Sequence, residues 1–119
     1  MWSGAGILGI DHSAISVGDS EVAQGFFVER GLKVGTSSLN RGSTQVALDG
    51  LDAVEVDVVP MIPAKSGPHV ELLRYRVPRG RLLSPPLAPN DIAASRIVWR
   101  ADIDALIRDP AGHLHLLRR

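Results

Sequence analysis

The chain contains no cysteine. That absence rules out disulfides and thiolate-held metal sites, and it suits a reducing compartment, so a cytoplasmic location is the expectation. Net charge is absent too: 13 Lys and Arg balance 13 Asp and Glu. Nothing electrostatic therefore points to nucleic acid or an anionic membrane surface as a partner. Aromatic residues are only 4% of the chain. The basic stretches "RYRVPRGR" and "LLRR" accordingly read as solvated faces. No apolar run approaches the roughly 20 residues that a membrane span needs, and no leader-like segment is visible. What is present, 119 residues of which 45% are hydrophobic, describes one ordinary soluble domain long enough to bury a real core.

Glycine is not scarce, and "GAGILG" (Gly4 to Gly9) spells G-x-G-x-x-G. A dinucleotide turn of that spelling needs a buried strand running in and a helix running out. Only Met1, Trp2 and Ser3 precede the first glycine, and the following Ile10–Val17 alternates like a strand. Glu29 stands where the motif's acidic partner would, but inside the next helical stretch. The glycines read as a lead-in, not a nucleotide site.

In the strand Ile10–Val17, alternation places Ile10, His12, Ala14 and Ser16 on one face and Ser13, Ile15 and Val17 on the other. Asp19 or Ser20 can cap a helix over "SEVAQGFFVER", which Gly31 ends. Gly25 within that helix is expected to make room for close packing. "LKVGTSS" predicts a second strand, followed by the turn-rich "LNRGS". "AVEVDVVPM" predicts a half-exposed strand ended by Pro60 and Pro63. "PHVELLRYRV" predicts another, with His69, Glu71, Leu73 and Tyr75 on one face.

A Pro/Arg/Gly-rich linker over about 79–91 separates a larger first module (about 8–78) from a smaller second one (about 92–119). In the second, "ASRIVWRA" reads as a strand, "DIDALIR" as a short helix capped by Asp102, "DPAG" as a turn and "HLHLLRR" as a final strand. The order repeats, and so in part does the sequence. "GPHVELLRY" aligns without gaps on "AGHLHLLRR", and "DHSAISV" on "SRIVWRA", which points to an internal duplication.

The pattern "DHSAISVGD…VAQGFFVERGLKVG…PHVELLRYRVP…DIAASRIVWRADIDALI…DPAGHLHLL" resembles the vicinal oxygen chelate superfamily. That group includes glyoxalase I, extradiol dioxygenases, methylmalonyl-CoA epimerase and the bleomycin- and fosfomycin-resistance proteins. The resemblance implies an α+β fold of paired βαβββ modules whose curled mixed sheets form a cup around a divalent metal (Fe, Ni, Mn, Zn or Co). It implies a metal-assisted lyase, isomerase or dioxygenase acting on a small molecule with adjacent chelating oxygens. The alternative is metal-free binding of a small molecule in the same cup.

In the family each module offers one ligand from its first strand and one from its last. In module one these fall on His12 and Glu71, and Glu71 or His69 is the nearest candidate for a catalytic base. Module two departs from the pattern. Arg96 stands at its first-strand position and cannot ligate a cation. For its last strand, the gapless repeat puts His115 opposite Glu71, whereas the register counted from "DPAG" puts Leu116 there. A slip of one residue flips every side chain to the other face, so the two registers predict opposite chemistry.

Module two also has room only for a two-stranded remnant with one short helix, so a homodimer completing the cup is expected. Three readings of the site follow. His12, Glu71 and His115 form a two-His, one-carboxylate metal triad. Or Arg96 grips a ligand carboxylate or phosphate in a metal-free pocket. Or Glu71 merely pairs with Arg96 in a structural role. His69 and Tyr75 share the Glu71 face and are candidates for contacting substrate. His69 and His113 each follow a turn and begin a strand, and both read first as surface or turn-stabilising histidines and not as ligands; Trp99 reads as packing under the helices.

Overall fold

A computed structural model describes residues 6–119. Gly4 and Ala5 of the glycine motif lie outside the described residues. From Gly6 to Asp11 there is neither strand nor helix, and the chain then enters a strand, β1 (His12–Ser16).

Asp19 caps the first helix, α1 (Ser20–Val28), its carboxylate accepting from the Val22 N–H at 3.1 Å. Gly31, at φ +91°, ends it in the conformation that favours glycine. Then come β2 (Lys33–Val34), β3 (Ser38–Arg41), α2 (Ser43–Asp49), β4 (Glu55–Ile62) and β5 (His69–Val77). After a stretch without strand or helix from Pro78 to Ser95, the chain forms β6 (Arg96–Arg100), β7 (Ala105–Arg108) and β8 (Leu114–Arg118).

Two mixed sheets result. The first runs β1-β5-β4, with β2 and β3 both pairing with the far side of β4; the second runs β6-β8-β7. In each, the module's first strand lies parallel to its last and a middle strand lies antiparallel to that last strand. The duplication legible in the sequence is thus repeated in the pairing.

The main core lies between α1 and one face of the first sheet. Ile15, Val17, Val59, Met61, Val70 and Leu72 close on Ala23 and Phe27, and Ile97 and Trp99 of the second sheet pack against the same cluster. Each large apolar side chain removed from water there contributes roughly 1.5–3 kcal/mol. One helix therefore serves both sheets. A second cluster, Val54, Val56 and Val58 with Leu73, Tyr75 and the Val46 side chain of α2, occupies the opposite face of the first sheet.

Four sequence expectations change. "DIDALIR" forms no helix: Ala105–Arg108 is strand β7, with Ala105 and Ile107 half-buried and Leu106 and Arg108 exposed. The free edge of β8 offers this stretch a full ladder, and four residues are too few for a stable helix. The second module is accordingly three strands with no helix among the described residues. The stretch "LNRGS", expected as a turn, holds Leu39–Arg41 of β3 and, from Ser43, the start of α2 (Ser43–Asp49), which the sequence does not announce. Pro60 lies inside β4 and does not end it. Its carbonyl accepts from Gly35 N–H at 2.7 Å, so its missing N–H faces the gap between the segments paired with β2 and β3.

Gly25 also has a different role from the expected one. A Cβ there would meet nothing within 4 Å, so close packing does not require the glycine. Among the described residues no helix is long and apolar enough to cross a membrane.

Candidate metal centre

β1 and β5 lie side by side and parallel, with His12 opposite His69 and Ala14 opposite Glu71. The two-residue period of a strand puts His12, His69 and Glu71 on one face, turned away from α1. Their side chains converge. His12 Nε2 stands 3.5 Å from Glu71 Oε2, and His69 Nε2 stands 3.3 Å from Glu71 Oε1. The imidazole rings are 5.1 Å apart at 30°. The side chains of Glu71 and His69 are 22% and 20% exposed and that of His12 is 40% exposed, so the group is anchored in the sheet yet open to solvent.

Asp11 fixes the orientation of His12. Its carboxylate can only accept, so the 2.7 Å contact places the proton on His12 Nδ1. That hydrogen bond holds the His12 pKa above its ordinary value against the opposing effect of desolvation, and the charges of Glu71 and then Asp11 add to the rise. The same bond holds Asp11 below the usual carboxylate range. Asp11, His12 and His69 also offer ligand atoms within 4.8 Å of one another. Sequence reasoning gave Asp11 no role and His69 a minor one. The readable signals were an acid directly before the first-strand histidine and an alternate-residue His-x-Glu on the last strand.

The structure does not bring His115 to this group. In the second sheet Arg96 pairs with Leu114, Ile97 with His115 and Val98 with Leu116. His115 therefore shares the face of Ile97 and Trp99 and packs on α1, its ring 5.5 Å from that of Phe27. It is buried, bonded to Asp109 at 2.8 Å and to Trp99 at 3.0 Å. The family register is the one adopted: Leu116 faces the open side. The gapless repeat misleads by one residue because β8 begins one residue later in the repeat than β5 does. His113, expected at a turn, has Nε2 2.6 Å from the Ser16 carbonyl and so ties the second sheet to β1.

Arg96 opens β6, is exposed, and borders a pocket of about 230 Å³ with Ser13, Ala14 and His113. Glu71 has His12 and His69 as its ionic neighbours, not Arg96. Tyr75 lies on the Glu71 face but donates to Asp49 of α2 at 3.1 Å. Burial, then that hydrogen bond, pushes its pKa up. A larger cleft of about 710 Å³ runs between the start of α1 and the end of β5, lined by Val22, Arg74, Tyr75, Arg76 and Arg79. Size does not make it the better chemical site. Arg74 and Arg76 are spent on Asp57, at 3.3 and 2.8 Å. The titratable cluster with ligand atoms is elsewhere, on β1 and β5.

The crystal structure of a glyoxalase family protein from Bacillus cereus matches this fold with a TM-score of 0.81, covering 98% of this chain and 97% of that one at 18% identity. The α+β fold expected from the sequence, that of the vicinal oxygen chelate proteins, is the fold the chain adopts. No family model matches the chain, and no curated protein matches it in sequence.

Proposed function

We propose that this protein is a metal-assisted lyase, isomerase or dioxygenase whose small-molecule substrate chelates a divalent ion through adjacent oxygens. The observation that carries this reading is the approach of His12 Nε2 to the Glu71 carboxylate on the open face of β1 and β5. The donor set fits such an ion. Imidazole and carboxylate together suit Fe, Ni, Mn, Zn or Co, and the partial exposure of both side chains leaves room for substrate. His12 and Glu71 would hold it. A bound ion supplies Lewis-acid stabilisation of oxygen charge developing on the substrate. Glu71 would also take up a substrate proton on that face, and Arg96, which makes no ion pair among the described residues, would suit a substrate carboxylate or phosphate.

One observation favours a second reading, metal-free binding in the same cup. The open face of the second sheet presents Arg96, Val98, Leu106 and Leu116, none of which binds a cation. That face also supports a homodimer: Val98 is 62% and Leu106 44% exposed, and a second copy would cover them.

Calorimetric titration of chelator-stripped protein with Fe(II), Ni, Mn, Zn and Co separates the readings. Near-stoichiometric uptake that is lost in His12→Ala and Glu71→Ala supports the metal enzyme. No uptake by the unmodified protein sinks it, and a thermal-shift ligand screen with Arg96→Ala would then test the binding reading.

A further inference from the structure

We infer that His69 is a third protein ligand of this centre, so that module one alone holds the ion and module two supplies only a wall. The inference rests on the reading above that an ion binds at His12 and Glu71. The two positions from which the second module would contribute are occupied by Arg96, which has no lone pair to give, and Leu116, which has no donor atom. His115, the remaining histidine of the last strand, faces α1. A replacement donor must come from the first sheet.

His69 meets the requirements. It sits directly opposite His12 on the neighbouring strand, two residues before Glu71 and on the same face. His12 Nε2 is 3.5 Å from Glu71 Oε2 and His69 Nε2 is 3.3 Å from Glu71 Oε1, so each imidazole faces its own oxygen and the carboxylate would grip an ion with both.

Asp11 stands behind His12: its carboxylate accepts from Nδ1 at 2.7 Å and so turns Nε2 toward the Glu71 carboxylate. A carboxylate behind the ligating imidazole is the usual outer partner of a metal-bound histidine. Two imidazoles and one carboxylate with the remaining positions open form the donor set of non-heme Fe(II) sites, which leaves adjacent positions for a two-oxygen substrate.

The test is metal affinity measured with Co(II), together with its visible spectrum. His69→Ala should bind at least about 100-fold more weakly, beyond the roughly 10–100-fold expected for loss of an outer partner in Asp11→Asn. Added imidazole should restore the Co(II) spectrum of His69→Gly, which a merely structural histidine would not do. Pulsed EPR of the unmodified protein loaded with Cu(II) provides a readout that needs no variant and should count two coordinated imidazoles. One imidazole, or His69→Ala with unaltered affinity and spectrum while Glu71→Ala loses metal, would overturn this inference and leave the metal site standing. No binding by the unmodified protein would overturn both.

Discussion

Trp99 fixes the state of His115. Its Nε1–H can only donate, at 3.0 Å, so Nδ1 of His115 is the acceptor and the ring proton sits on Nε2, pointing at Asp109 Oδ2 at 2.8 Å. The other Asp109 oxygen accepts from the Ala111 and His113 N–H groups and so shapes the turn into β8. Both side chains are only 1% exposed. Asp109→Asn would set an amide N–H₂ against the His115 N–H, and flipping the tautomer would clash with Trp99 instead. A loss of about 1–3 kcal/mol is expected, read from urea denaturation, because a buried donor is left without a partner.

Burial raises the Asp109 pKa, but the hydrogen bonds from His115 and the His113 backbone outweigh it and hold the carboxyl below its ordinary value. A depressed folded-state value means the stabilisation is complete above the unfolded pKa, near 3.9, and is lost as pH falls through the folded value. Stability should therefore fall on the acid side of about pH 4, and the fall should be shallower in Asp109→Asn. His115→Ala should lower the melting temperature yet leave metal uptake unchanged. Lost uptake would put His115 back among the ligands.

Among the elements, α1 carries the most. Phe27 contacts both Trp99 and His115 of the second sheet while lying in the core of the first. Phe27→Ala should cost about 3–5 kcal/mol, enough to threaten folding of a domain this size. Gly25 on the same helix is exposed and a Cβ there has open space. Gly25→Ala should therefore stabilise by about 1 kcal/mol, seen as a higher melting temperature. A destabilised variant would restore the packing role that the sequence suggested.

Legibility at this scale follows the length and regularity of each pattern. β1, β5 and α1 combine clean periodicity with caps or turn residues, and their faces could be read directly; β4 alternates as expected but is not half-exposed, because Val59 and Met61 pack under α1 and Val56 and Val58 pack with Val46 of α2. β7 could not, because "DIDALIR" carries a capping Asp and good helix formers, and only the waiting edge of β8 decides for strand. α2 has no side-chain cap on Gly42 to mark its start. The shared face of His12 and Glu71 was legible because strand parity holds there, whereas the face of His115 was misread because one residue of slip in the repeat reversed it.

For the whole molecule, the second sheet is the unfinished part. Its three strands leave Val98 and Leu106 exposed on the face turned away from α1. Sedimentation should find a dimer, and Val98→Glu should give a folded monomer by circular dichroism and light scattering. A monomer at every concentration of the unmodified protein would contradict the proposed pairing.

The central claim, an ion held on the open face of β1 and β5, is tested most directly by anomalous diffraction from crystals loaded with Zn or Co. A single strong peak is expected within about 2.3 Å of His12 Nε2 and of the Glu71 carboxylate. A peak confined to another acidic group such as Asp57, or no peak at full loading, would contradict it.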